Sequence, residues 1–219
     1  MTTHMGRSLV SALVLGACLL ATGPVRGQDA APQPPPMSAH FVQYGVGVGA
    51  ETVASAGNVC PTGGQAPCIL QSGAGLTVRV GYRGRGSVYF GGAYEFSRQD
   101  AANLLRLPIL QQLRAELRYY LRQGTRLTPY AVAGAGGAVY GNEWRIDTGG
   151  GLGMLGLGLE FQVNRSSLVG GSLSYRPIVF RGWTDSTGQE RANGFIGFGL
   201  SHFIALELTL ELRDALSRW

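Results

Sequence analysis

The sequence predicts an all-β fold: an antiparallel, up-and-down transmembrane β-barrel of about eight strands, preceded by a signal peptide. Three observations predict it. Apolar residues recur at every second position through most of the chain. The links between these runs alternate between short and long. An export leader stands at the N-terminus.

The leader comes first in the chain. Arg7 supplies a positive n-region, and Leu9 to Ala21 form an apolar run. That run is too short for a bilayer-spanning helix, which needs about 20 residues. Val25-Arg26-Gly27 offers small residues for cleavage before Gln28, so residues 1–27 are read as signal peptide. A second reading takes Leu15-Gly16-Ala17-Cys18 as a lipoprotein signal with Cys18 lipidated; the apolar run continues past Cys18, which favours the first. Residues 28–39 carry Pro32, Pro34, Pro35 and Pro36 and read as an extended periplasmic linker.

The barrel is expected over residues 40–219. Val42, Tyr44, Val46 and Val48 share one face of the first strand, opposite Gln43, Gly45, Gly47 and Glu51. Leu76, Val78, Val80 and Tyr82 then alternate with Thr77, Arg79, Gly81 and Arg83. Val88, Phe90, Tyr94 and Phe96 alternate with Tyr89, Gly91, Ala93 and Glu95. A helix would space its apolar residues three and four apart. Residues 109–122 are rich in helix formers, yet Leu113, Ala115, Leu117, Tyr119 and Leu121 oppose Arg114, Glu116, Arg118, Tyr120 and Arg122. A strand sorts those charges to one face; a helix would smear them around its circumference. Further strands are expected at 129–141, 148–163, 167–179 and 193–212.

The links sort by length. Residues 83–86, 123–128 and 164–166 are read as the short links and 54–72, 98–106, 142–147 and 180–191 as the longer ones, with 123–128 and 142–147 equal at six residues each. A membrane barrel has short turns on one side and long loops on the other. A soluble sandwich has no reason to sort its loops this way.

Composition excludes several functions. The 18 basic residues are all arginine, which removes a P-loop lysine and a Schiff-base lysine. The net charge of +5 is spread among acidic residues without a basic stripe, so neither nucleic acid nor nucleotide is an expected partner. Gly151-Leu152-Gly153-Met154-Leu155-Gly156 matches G-x-G-x-x-G, but it lies inside a strand with no helix after it. Glycine is abundant, with 35 residues, as suits strongly curved strands around a crowded lumen.

In its glycine–aromatic strands, such as Val88-Tyr89-Phe90-Gly91-Gly92-Ala93-Tyr94-Glu95-Phe96, the chain resembles the small outer-membrane β-barrel proteins of the OmpA-like and OmpW-like eight-stranded group. A closing strand near the chain end and the terminal Trp219 add to the resemblance, which spans 40–219 and rests on pattern. The apolar phase stops at Leu212, however, leaving Arg213 to Arg218 as a tail before Trp219. The resemblance implies an outer-membrane location, periplasmic termini, contact with membrane lipid and lipopolysaccharide, and insertion by the barrel assembly machinery.

The lumen-facing set is expected to include a charge network of Arg79, Glu95, Arg114, Glu116, Arg118, Glu160, Glu207 and Glu211. Buried ions of this kind need partners. Arg98, Arg106, Arg145, Arg181 and Arg191 sit in or beside the long links as candidate lipopolysaccharide contacts. Tyr44, Tyr82, Tyr94, Tyr119, Tyr130, Tyr140 and Tyr175 are candidates for aromatic girdles. Cys60 and Cys68 read as a disulfide in an exported chain, and no metal or cofactor site is expected. Ser201 and His202 are adjacent, so on a strand they point to opposite faces, and no catalytic residues are assigned. The expected role is structural or surface-interacting. A narrow solute channel, a lipid-modifying enzyme and a soluble periplasmic β-sandwich are the alternatives.

Overall fold

The computed structural model describes residues 40–60, 67–185 and 188–216. The leader, the linker and Trp219 lie outside the described residues. The long strands are β1 (Phe41–Ser55), β2 (Gly73–Arg83), β3 (Val88–Gln99), β4 (Pro108–Tyr120), β5 (Leu127–Asn142), β6 (Thr148–Gln162) and β7 (Ser167–Arg181). A two-residue pair, β8 (Trp183–Thr184) and β9 (Glu190–Arg191), lies in the last long loop, and β10 (Phe198–Ala215) closes the barrel.

The eight long strands form a closed barrel in the order β1-β10-β7-β6-β5-β4-β3-β2, with neighbours antiparallel throughout. Closure comes from β1 against β10, in register from Phe41↔Ala215 to Ser55↔His202. Each strand is therefore paired on both sides, the arrangement that a lipid environment requires of backbone N–H and C=O groups. Following the register from Phe41 through Arg83, Tyr89, Arg118, Val132, Gly156, Ser174 and Ala205 returns to Glu51, ten residues further along β1. That stagger tilts the strands by about 40°. The shortest, β2 at 11 residues, then spans about 28 Å along the axis, enough for an apolar band about 25 Å tall.

Among the described residues no helix is long and apolar enough to cross a membrane. The outward face is a continuous belt of leucine and valine. Leu76, Leu113 and Leu157 are 64–65% exposed, with Val48, Leu173, Leu206 and Leu208 exposed beside them on other strands. An apolar surface of that extent is untenable in water. The β-sandwich alternative is thereby corrected: there are not two sheets with an apolar interior, but one closed sheet with its apolar side outward.

Three strand boundaries and one facing are corrected as well. β4 ends at Tyr120, which leaves Leu121 and Arg122 in the turn. The last strand starts at Phe198 rather than at residue 193, because Ile196 adopts φ 67° in a tight turn. It also continues past Leu212 to Ala215, so the first residues of the supposed tail are strand. Asp214 accepts a hydrogen bond from Tyr44 Oη at 3.0 Å. The fourth concerns two tyrosines. Tyr130 and Tyr140 are not girdle residues but face inward, almost fully buried, because β5 turns Ala131, Ala133 and Ala135 toward lipid.

Candidate functional site

The alternation that greases the outside fills the inside with charge. Six glutamates (Glu51, Glu95, Glu116, Glu160, Glu207, Glu211) and six arginines (Arg79, Arg83, Arg114, Arg118, Arg176, Arg213) line the lumen. Strands β1, β2, β3, β4, β6, β7 and β10 contribute them, and β5 adds Tyr130 and Val132 instead. Their equal numbers allow a filled interior without net charge.

Arg114 is the hub of the upper half. Its Nε donates to Glu116 at 2.8 Å, Nη1 to Glu95 at 2.8 Å and Nη2 to Glu207 at 3.2 Å. Arg176 shares two of these acceptors, donating to Glu95 at 2.8 Å and to Glu207 at 3.4 Å. Arg79 bridges downward, pairing with Glu207 and donating to Glu211 at 3.3 Å. Arg118 grips Glu211 with both terminal nitrogens, at 3.1 and 3.2 Å, the paired geometry that guanidinium and carboxylate favour. Its guanidinium also lies 4.7 Å from the Tyr89 ring centroid and 5.2 Å from that of Tyr130. Lower still, Glu160 accepts from Tyr120 at 2.8 Å and from Arg83 at 3.3 Å. Neutral donors complete the set: Gln43 donates to Glu160, and Ser97 and Gln112 donate to Glu51.

Glycine makes room for this filling. A Cβ at Gly81 or Gly91 would overlap the Tyr89 phenol, and one at Gly158 would overlap that of Tyr130. The space left among Arg79, Arg114, Glu116, Arg118, Arg176 and Glu207 is about 10 Å³. That is room for a single water at most.

Above the charges sits an apolar cap. Leu110, Ala138, Leu152, Ile178, Phe180 and Phe203 from the strand ends pack with Val59, Ile69, Leu70, Ala101 and Ala192 from three long loops. Tyr140 Oη donates to the Ile69 carbonyl at 2.5 Å, and Ala192 N donates to the Asn58 carbonyl at 2.9 Å. Cys60 and Cys68 are joined by a disulfide and pack, partly buried, against this cap. A closure of eight residues contributes about 2.5 kcal/mol on the loop-entropy model. Replacing both cysteines with serine is expected to expose residues 56–72 to faster proteolysis, read by timed digestion, with the barrel core left intact. Cleavage at the wild-type rate would show that the cap does not depend on the bridge.

All eight residues expected in the lumen network lie in it. Arg83, Arg176 and Glu51 belong to it too and were missed; Arg213 also faces inward but donates to the Arg165 carbonyl at 3.4 Å. Glu51 and Arg83 already share an alternation face with Gln43 and Arg79, so phase alone could have found them. Arg213 needed the longer last strand. Of the loop arginines, Arg98, Arg106, Arg145 and Arg181 are exposed at the long-loop end. Arg191 is a correction. Its side chain is fully buried, donating to Asp185 at 2.8 Å and to the Pro67 carbonyl at 3.2 Å, and is not available to lipid. Ser201 and His202 also part company. Ser201 Oγ donates inward to the Ala56 carbonyl at 2.9 Å, while the His202 ring stacks on Tyr175 outside.

A closed barrel with an apolar belt outside and paired ions inside is a membrane-spanning β-barrel. Its fold is similar to that of solved outer-membrane barrels. Neisserial surface protein A matches with 15% identity and TM-score 0.50, over 80% of this chain and 95% of that one. The outer membrane protein AlkL, solved in lipid bilayers, matches with 12% identity and TM-score 0.52, over 91% and 99%. OprG from Pseudomonas aeruginosa matches with 13% identity and TM-score 0.47, over 81% and 96%. No family model and no curated protein sequence matches the chain.

Proposed function

We propose that this outer-membrane barrel is non-conducting and serves a structural and surface-interaction role. The observation that carries the reading is the filled lumen: paired ions leave about 10 Å³ between them, and an apolar cap lies over the long-loop end. An ion crossing such an interior would have to displace buried, doubly bonded guanidinium groups, each costly to leave unpaired.

Surface interaction falls to the long loops, where Arg98, Arg106, Arg145 and Arg181 suit the phosphates of lipopolysaccharide. Export by the leader at residues 1–27, the linker at 28–39 and insertion by the barrel assembly machinery complete the proposal. The separation of Ser201 from His202 supports a role without turnover.

Planar-bilayer recording in potassium chloride tests it. The purified barrel is expected to give no unitary steps above the detergent control. Reproducible single-channel steps that vanish with heat-denatured protein would sink the closed-lumen reading.

A further inference from the structure

The last long loop holds a feature that the closed lumen does not use. Between the end of β7 and the start of β10 lies a cavity of about 610 Å³. That volume falls in the range of sites for small organic ligands. Arg181, Trp183, Arg191, Asn193, Ile196 and Phe198 are among its walls.

Three observations define what would fit. Arg191 is fully buried, with Nε committed to Asp185 and Nη1 to the Pro67 carbonyl, yet its Nη2 has no partner. A buried donor left without an acceptor calls for an explanation, and Arg191 is among the residues that line this cavity. Arg181 is exposed, also lines the cavity and adds a second cation. Flat or greasy side chains line the cavity too: Trp183, packed against Phe180 and Tyr140, with the 78%-exposed Ile196 and with Phe198, the cross-strand partner of Arg181. The carboxylate that also lines the cavity, Glu190, already accepts from Asn193 Nδ2 at 2.6 Å, so Asn193 helps to hold it in place.

We infer that this cavity is a binding site for a small organic carboxylate, with its anionic oxygens at Arg191 and Arg181 and a flat apolar body against Trp183 and Phe198. The inference does not rest on the closed lumen, since every residue proposed to touch the ligand lies in or beside the β7–β10 loop. A conductance experiment can fail without touching it, and the reverse also holds.

The test uses the full barrel in detergent micelles free of lipopolysaccharide, with Trp144 and Trp219 replaced by phenylalanine so that Trp183 alone reports. The probes are benzoate, benzamide as its neutral counterpart, and inorganic phosphate. Benzoate is expected to change Trp183 fluorescence saturably, with at least tenfold weaker binding for benzamide and for phosphate. Arg181→Gln is expected to weaken benzoate several-fold, and Arg191→Gln to abolish it. Because Arg191 also ties the loop to Asp185 and Pro67, its substitution can disorder the loop. The Arg181→Gln variant and the benzoate–benzamide contrast decide in that event. An unsaturable response, equal binding of benzamide, tighter binding of phosphate, or no effect of Arg181→Gln would each overturn the inference. Phosphate winning would point to a phosphate-bearing ligand instead.

Discussion

Replacing Arg114 with methionine is expected to destabilise the barrel by about 3–5 kcal/mol. The side chain is 0% exposed and makes ion pairs with Glu95, Glu116 and Glu207. Its removal leaves Glu116 with only Arg79 at 3.9 Å and Arg118 at 3.5 Å, neither within good hydrogen-bonding distance. Glu95 keeps Arg176, and Glu207 keeps Arg79 and Arg176. The cost is therefore mostly that of one carboxylate stranded in a dry interior, not of three bonds lost. Removing that carboxylate as well, in an Arg114→Met, Glu116→Leu double variant, should recover much of the loss. The surface pair Arg106–Glu143 serves as control. Its members are 86% and 46% exposed, and Arg106→Met should change stability by less than about 1 kcal/mol. Urea unfolding in phospholipid vesicles, followed by tryptophan fluorescence, measures all three. Equal losses for Arg114→Met and Arg106→Met would show that the lumen is wet and its ions screened.

The outer face makes the second strong prediction. Leu157 is 65% exposed near the middle of β6, so Leu157→Arg is expected to cost about 2–4 kcal/mol at the bilayer midplane. In a soluble protein, arginine at so open a site would be tolerated within about 0.5 kcal/mol. Leu216→Arg, beyond the end of β10, should be nearly neutral in either setting. The readout is the folded fraction in gel mobility with and without boiling, together with urea midpoints. A folded barrel migrates differently from its boiled form. Leu157→Arg behaving like Leu216→Arg would mean that this belt does not face hydrocarbon.

These two predictions rest on opposite faces of the same strands, and the sequence shows the two faces unequally. The lipid face is legible because its chemistry is uniform: Leu206, Leu208, Leu210 and Leu212 repeat along β10 without a break. The lumen face is mixed, since a filled barrel needs glycine beside tyrosine and arginine beside glutamate. Phase in β5 was therefore ambiguous. Its alanines and glycines look alike on both sides, and Tyr130 and Tyr140 looked equally suited to an interface. Only pairing with β4, which sets Tyr130 opposite the buried Tyr120, turns them inward. Arg191 shows the same limit in a loop. An arginine among polar residues reads as solvated, and its burial depends on Pro67 and Asp185 being folded against it.

The chain by itself determined the strands, their antiparallel order, and which ends carry turns and which carry loops. Each of these follows from local chemistry: a side-chain period of two and breaker residues at the joints. Tertiary structure alone decided which charges meet. Glu207 lies far along the chain from Arg79 and Arg114, yet closure of β1 on β10 and a stagger of ten residues bring all three together. It also decided that an apolar cluster forms at the long-loop end, because Val59, Ile69, Ala101 and Ala192 come to it from three separate loops. Periodicity is a property of one strand, whereas filling and closure belong to all eight at once.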